Sequence, residues 1–331
     1  MEYRKLGRTS LQASAMGIGT WQLSGPLTLD GKADGFPDIG EAEAVALIQA
    51  CEDLGINFID SAEIYGDGEG ERRIGIALQG RRDRWLISTK FGLRRGESGQ
   101  RITNSRPETI RPSLENSLKR LQTDYVDLYL YHSPPDHDGI ETGREVLEAL
   151  KQEGKIRFYG ISTDDAGLVR ELAGKNAVDA VMFSQSLLTH SAEMREVVKT
   201  HELGGILRGA LESGLLSGRY FRQAPALSNA DIRQAWFDSL ETQRYAVYEQ
   251  FLPPGASMTA FALRYLLDFD TTHTIVLGGK SLEDYQAALK AFELPPLTAA
   301  TQMEIQSVRQ QFFKRSLKQR VLGKIRRIFA R

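Results

Sequence analysis

The chain has a single cysteine, no apolar run of 18 residues, almost no net charge and no clear metal-ligand spacing, and each absence narrows what it does. Cys51 has no partner for an internal disulfide. It falls among Val45, Ile48 and Leu54 at helical spacing, which reads as core packing in a reducing compartment. Without a long apolar stretch no membrane-spanning helix is expected. The start, from Met1 to Lys5, is not followed by the apolar run of a signal peptide, so the expected location is the cytoplasm. A net charge of -1 gives no global pull toward nucleic acid, and no nucleic-acid partner is expected. A nucleotide site of the Rossmann type is excluded by spacing, because the nearest glycine cluster, Gly66, Gly68 and Gly70, is too tight. Gly278-Gly279-Lys280-Ser281 imitates the end of a phosphate-binding P-loop, but the first required glycine would fall at Thr274. His132 and His137 with Asp136 and Asp138 could be drawn as metal ligands. Pro134-Pro135 between them and the lack of i, i+4 geometry favour a solvated loop, so no metal is expected.

What is present is an ordinary globular composition, 41% apolar and 26% charged, with a strong repeating pattern. Short apolar runs alternate with amphipathic segments, as in parallel strands joined by helices. Eight strands are expected: 15–18, 57–60, 85–89, 126–131, 157–161, 180–183, 205–208 and 274–277. A helical pattern follows each, at 41–54, 70–78, 107–121, 141–152, 164–172, 192–201, 257–267 and 282–291, with Pro107 in a first turn and Ser281 ahead of an acidic one. Eight βα units imply a closed (β/α)8 TIM barrel, an α/β fold, where an open sheet would stop at five to seven strands. We expect one barrel domain over 1–300, opened by a small hairpin at 3–11 that plugs the barrel bottom. Residues 301–331 form a basic helical extension. From Lys314 to Arg331 there are eight Lys or Arg and no acid, which leaves the preceding 313 residues at -9. Leu317, Val321, Ile325 and Ile328 make an apolar stripe on it, more commonly packed on a barrel than laid on a membrane surface. The connection from Gly209 to about Gly255 is long enough to be a lid.

In such a barrel the reactive groups project from the C-terminal ends of strands. Asp60 ends the second strand and Tyr65 follows in its loop; Lys90 ends the third and His132 the fourth. Reduction of a carbonyl needs a proton for the developing alkoxide, and a phenol supplies it at neutral pH only if its environment lowers its pKa from near 10. Lys90 would stabilise the tyrosinate, Asp60 would keep Lys90 charged and oriented, and His132 would hydrogen-bond the substrate oxygen or relay the proton.

Asp60-Ser61-Ala62 with Tyr65-Gly66, the strand-ending Lys90, and Asp127-Leu128 with His132 resemble the catalytic tetrad of the aldo-keto reductase superfamily. Further landmarks run in order over about Arg4 to Phe292: Gly17-Ile18-Gly19-Thr20-Trp21, Asp124-Tyr125-Val126-Asp127-Leu128, Gly160-Ile161-Ser162, Gln185 and Gly214-Leu215-Leu216-Ser217-Gly218. The resemblance implies a nicotinamide cofactor, NADP(H) preferred and NAD(H) the alternative, bound without a Rossmann domain. It implies that Ser162 and Gln185 hold the carboxamide, with Gly19, Thr20, Trp21, Asp60 and Thr163 around the nicotinamide. The loop from Leu211 to Leu215, with Ser213 and Gly214, would wrap the pyrophosphate; Gly209 and Ala210 would also meet the cofactor, and Arg208 stands where an aromatic usually stacks on the nicotinamide. Gly278, Gly279, Lys280, Ser281 and Asp284 would meet the adenosine end, where a Lys and a helix start favour an anion. Trp21, Tyr65, His132 and Arg208 would line the pocket of a small carbonyl or alcohol substrate.

Several residues depart from the family pattern. Thr163 stands where Asn usually follows Ser162. Arg208 replaces a common aromatic and adds charge near the substrate, hinting at an anionic or polyhydroxylated one. Asp284 and Ala288 replace amide or basic residues at the adenosine end, and an aspartate there repels a 2′-phosphate. Ser162 alone could equally be a helix cap before Asp164. Trp236 and Phe237 could fold over the pocket or pack on the barrel. The expected function is NAD(P)H-dependent reduction of aldehydes or ketones, or oxidation of the alcohol or sugar. The alternatives are a cofactor-binding regulatory or redox-sensing subunit acting through the basic tail, and a phosphate-transferring or hydrolytic barrel. Oligomeric state is not readable.

Overall fold

The computed structural model describes residues 1–132 and 137–312, with backbone alone for 137–141. Asp136, the side chains of His137 and Asp138, and with them the metal alternative, lie outside the described residues, as does the stripe Leu317, Val321, Ile325 and Ile328. Strands β1 (Tyr3–Lys5) and β2 (Gln12–Ser14) form an antiparallel hairpin ahead of β3 (Met16–Gly19). A two-stranded ribbon of β4 (Thr28–Leu29) and β5 (Lys32–Ala33) precedes α1 (Glu41–Asp53), β6 (Phe58–Asp60), α2 (Glu69–Ala77) and β7 (Leu86–Phe91). A second ribbon, β8 (Leu93–Arg95) with β9 (Arg101–Thr103), precedes α3 (Pro107–Leu121), β10 (Val126–Tyr131) and α4 (His137–Gln152). Then follow β11 (Ile156–Ser162), α5 (Ala166–Gly174), β12 (Ala180–Ser184), α6 (Ala192–Thr200) and β13 (Gly204–Arg208). The chain continues through α7 (Gln234–Asp238), α8 (Met258–Leu267), β14 (Thr274–Leu277) and α9 (Leu282–Leu289).

Strands β3, β6, β7, β10, β11, β12, β13 and β14 pair in that order, all parallel, and close on β3 as an eight-stranded barrel. The expected (β/α)8 fold is therefore present, each strand within two residues of its expected bounds. Phe58, Leu128, Leu130, Ala180, Met182 and Ile206 form the apolar interior of the barrel, and Leu6, Leu11 and Ala13 of the hairpin complete that cluster. Arg4 fixes the hairpin by donating to Leu267 O at 3.0 Å and Thr272 O at 2.6 Å, both just before β14. The packing around β13 is tight enough to need glycine: a Cβ on Gly205 would lie 2.1 Å from Thr271 O.

Helices cover the outside, and several starts are capped. Ser257 accepts from Ala260 N at 3.1 Å and Ser281 from Asp284 N at 3.4 Å. Helix α5 is capped by Asp165, which accepts from Leu168 N at 3.0 Å; the cap reading of Ser162 therefore passes to Asp165. The long connection after β13 folds into short turns. Phe237 is buried in the main apolar core with Trp236 packed against it, ring centres 4.8 Å apart, and neither residue lines the cleft. Residues 299–312 are helical and lie on the barrel through Ile305, Val308 and Phe312. Arg309 donates there to Leu187 O at 2.9 Å and Tyr265 Oη at 2.7 Å. Among the described residues no helix is long and apolar enough to cross a membrane.

Candidate active site

Parallel strands put all their C-terminal ends on one rim. A cleft of about 760 Å³ opens there. Asp60, at the end of β6, and Lys90, near the end of β7, are both buried and paired: Lys90 Nζ donates to Asp60 Oδ2 at 2.5 Å, to Ser61 O at 2.7 Å and to Tyr65 Oη at 3.4 Å. Tyr65 is brought over the pair by a tight turn, because Gly66 and Asp67 have φ of 59° and 57°. A Cβ at Gly66 would meet Ser24 O at 2.0 Å, so that position needs glycine. Trp21 stacks on Tyr65 at 5.8 Å, and His132, just past β10, stands edge-on to it at 5.6 Å.

Two acids that sequence reasoning missed hold this arrangement. Glu63, in the Tyr65 loop, accepts from Gly92 N at 2.7 Å and so ties that loop to the end of β7. Buried Glu71 on α2 accepts from Thr89 Oγ1 and from Arg120 Nε, the latter at 2.7 Å, locking α2 against the strand that carries Lys90. An acid inside a catalytic loop and another on the helix just behind it were the available signals.

Burial lowers the pKa of Lys90, but the charges of Asp60 and Tyr65 and their hydrogen bonds outweigh it, so the ammonium stays charged. For Tyr65 the balance is opposite to the sequence expectation. Burial is the largest effect and pushes the phenol above its usual value; Lys90 opposes this and Asp60 adds to it. In this pocket Tyr65 is a protonated phenol rather than a tyrosinate. His132 is held well below the ordinary imidazole value, first by burial and then by Lys90, Arg208 and Arg101, so it is neutral at physiological pH. Its buried Nδ1 has no partner among the described residues.

Away from this floor the cleft is lined by Gly19, Trp21, Ser162, Arg208, Gly209, Ala210, Leu211, Ser213, Gly214, Gly278, Gly279, Lys280 and Asp284, all expected near a cofactor. Thr20, Thr163, Gln185, Leu215 and Ser281 do not line it. Thr20 donates to Asp60 O at 3.1 Å and Ser61 Oγ at 2.9 Å, Thr163 accepts from Asp165 N at 3.2 Å, Leu215 is core, and Ser281 caps α9. Gln185 is 1% exposed, and neither its amide oxygen nor its nitrogen has a partner among the described residues. A buried primary amide without partners next to Ser162's strand fits the carboxamide of a nicotinamide, which both accepts and donates. Asp284 accepts from Lys280 N at 3.0 Å and lies 3.5 Å from Arg219, while Lys280 Nζ donates to Pro37 O at 3.4 Å.

Residues of the inserted loops complete the walls: Gln22, Asp34, Phe36, Arg101, Arg219, Tyr220 and Arg233. Asp34 O accepts from Trp21 Nε1 at 3.2 Å and Asp34 Oδ1 from Arg101 Nη2 at 2.8 Å. Arg208 Nη2 donates to Asp164 Oδ2 at 2.8 Å. Among the described residues no group of three His, Cys, Asp or Glu is arranged to hold a metal ion.

Known proteins share this architecture and sequence. Residues 15–310 match the profile of the Aldo/keto reductase family. An uncharacterized oxidoreductase of Bacillus subtilis, YqkF, is 30% identical over 95% of this chain and 99% of its own. The NADH-specific methylglyoxal reductase of Escherichia coli is 29% identical over 87% of this chain and 93% of its own. The holo form of an aldo-keto reductase from Bacillus halodurans superposes with a TM-score of 0.79 at 30% identity, covering 93% of this chain and 96% of that one. The profile spans nearly the whole chain and the relatives match along nearly their full length, on the same closed barrel, so the chain belongs to the aldo/keto reductase family, enzymes that interconvert carbonyl compounds and alcohols with a nicotinamide cofactor.

Proposed function

We propose that this enzyme reduces small aldehydes or ketones with Tyr65 as the proton donor. The observation that carries the reading is the contact of Lys90 with both Asp60 and the Tyr65 hydroxyl at the floor of the cleft. When bound, the cofactor supplies the hydride. The carbonyl oxygen lies between Tyr65 Oη and His132, where the neutral imidazole donates a hydrogen bond and fixes its orientation. As negative charge develops on that oxygen, the phenol releases its proton to it. Lys90, 3.4 Å from Oη, stabilises the tyrosinate left behind, and Asp60 keeps the ammonium in place. Trp21, stacked on the phenol, keeps water from its face.

Ser162 and Gln185 hold the carboxamide, and the loop through Ser213 and Gly214 takes the diphosphate. At the far end Lys280 and Arg219 favour the extra phosphate of NADP(H) while Asp284 opposes it, so we propose that NADP(H) is preferred by a narrow margin, with NAD(H) also used. The test is cofactor oxidation with a panel of aldehydes. Tyr65→Phe lowers kcat by at least about a hundredfold, the scale of a general acid, and leaves cofactor binding, read by fluorescence, intact. A variant that loses both would show Tyr65 to be structural.

A further inference from the structure

The cleft carries more positive charge than the chemistry at its floor uses. Six cations line it, Lys90, Arg101, Arg208, Arg219, Arg233 and Lys280, against three carboxylates, Asp34, Asp60 and Asp284, in a chain whose net charge is -1. Lys90 is cancelled by Asp60. At one end Arg219, Arg233 and Lys280 stand against Asp284 and against Asp231, which pairs Arg233 at 2.7 Å from behind, a balance suited to the phosphates of a dinucleotide. At the other, beside Tyr65 and His132, Arg101 and Arg208 remain, with Asp34 the one carboxylate among the residues lining that end and Asp164 pairing Arg208 from outside them.

The placement of these charges is directional. Asp164, the partner of Arg208, is not among the residues lining the cleft, whereas Arg208 is. After burial, the charges of Lys90, Arg208 and Arg101 are what depress the imidazole of His132, and among the described residues no carboxylate offsets them there. Arg101 commits only Nη2, to Asp34 at 2.8 Å; among the described residues the rest of its side-chain fork has no acceptor, and the side chain is 39% exposed. It is tied to the chemistry by a continuous wall: Tyr65 stacks on Trp21, Trp21 Nε1 donates to Asp34 O, and Asp34 Oδ1 accepts from Arg101. Arg208, at the end of β13 and paired in register with Ser184, stands on the side where the nicotinamide is expected. That leaves Arg101 facing the substrate.

We propose that the substrate carries an anionic group, a carboxylate or a phosphate, a few bonds from its carbonyl, and that Arg101 is the specificity-determining residue that receives it. A guanidinium with free donors takes such a group through paired, charge-assisted hydrogen bonds. The proposal rests on the carbonyl-reducing reading above.

The experiment compares two matched pairs at saturating cofactor: 4-oxobutanoate against butanal, and glyceraldehyde 3-phosphate against glyceraldehyde. In the wild-type enzyme kcat/KM favours the anionic member of one pair by roughly tenfold to a hundredfold, mostly through KM, as hydrogen bonds to a charged group do. Which pair shows it separates carboxylate from phosphate. In Arg101→Gln the preference falls to within about threefold, and Arg101→Lys, which keeps the charge without the fork, recovers part of it. Equal efficiency within both wild-type pairs overturns the proposal and leaves carbonyl reduction standing; so does a preference that survives in Arg101→Gln. No oxidation of cofactor with any of the four carbonyls overturns both.

Discussion

Replacing Lys90 by Met removes one member of an ion pair that is almost wholly out of water, since Lys90 is 1% and Asp60 3% exposed. The carboxylate left behind already has one oxygen without a partner among the described residues, and loses the ammonium at 2.5 Å from the other. An uncompensated buried charge of this kind costs about 3–5 kcal/mol. For a chain of this size each kcal/mol lowers the melting temperature by about 2 °C, so Lys90→Met should melt roughly 6–10 °C below the wild type. Adding Asp60→Leu removes the orphan. Because exchanging a whole buried pair for apolar side chains is often neutral or stabilising, the double variant should melt within a few degrees of the wild type. Turnover behaves differently. Both variants lack the ammonium that stabilises tyrosinate, and both should lose at least about a hundredfold in kcat. Melting by circular dichroism at pH 7, alongside carbonyl-dependent cofactor oxidation, reads both quantities. A Lys90→Met protein as stable as the wild type would refute the burial argument, and a double variant that regains turnover with its stability would reduce Lys90 to a structural role.

Other substitutions probe separate links. Gly66→Ala forces a side chain onto φ 59° and against Ser24 O, so it should cost roughly 1–3 kcal/mol and displace Tyr65; unchanged melting and kcat would contradict the turn argument. His132 is depressed below its unfolded value, so between its folded pKa and about 6.5 the unfolded chain binds the extra proton. Stability should therefore be flat above pH 6.5 and fall as pH drops below it, by at most about 1.4 kcal/mol per unit per histidine. His190 and His273 are shifted the same way, so His132→Asn should flatten part of this slope in pH-dependent denaturation and leave the rest. Asp284→Asn should raise the NADPH-to-NADH ratio of kcat/KM by about tenfold, equivalent to about 1.4 kcal/mol. An unchanged ratio would mean that the carboxylate, held by Lys280 N and facing Arg219, does not meet a 2′-phosphate.

The barrel was legible in the sequence because burial on both faces makes parallel strands read as bare apolar runs, such as Val126–Tyr131, whose observed bounds match the expected ones. Asp60, Lys90 and His132 were legible for the same reason: a polar residue closing such a run has one place to go. Arg101, Asp34 and Phe36 were not, since they reach the cleft from short ribbons that carry no periodicity. The direction of the Tyr65 shift was missed because neighbouring charges can be guessed from chain position, whereas the depth at which a phenol is buried cannot. Trp236 and Phe237 were ambiguous in sequence because a large apolar residue in a long loop packs equally well over a ligand or onto a barrel.

The two ribbons are bound to each other: Asp30 N donates to Gly99 O at 3.0 Å, Arg101 N to Asp30 Oδ1 at 3.1 Å, and Arg101 to Asp34. Leu27, Leu29 and Leu93 seat them on Ala62 and Ile64 of the Tyr65 loop. The ribbons form a clasp at the rim. Its tips and the charges lining it can change without shifting the register of a single barrel strand, as long as the leucines under it keep their seat on the Tyr65 loop. An inherited reaction can in this way be offered to new molecules by editing the clasp alone.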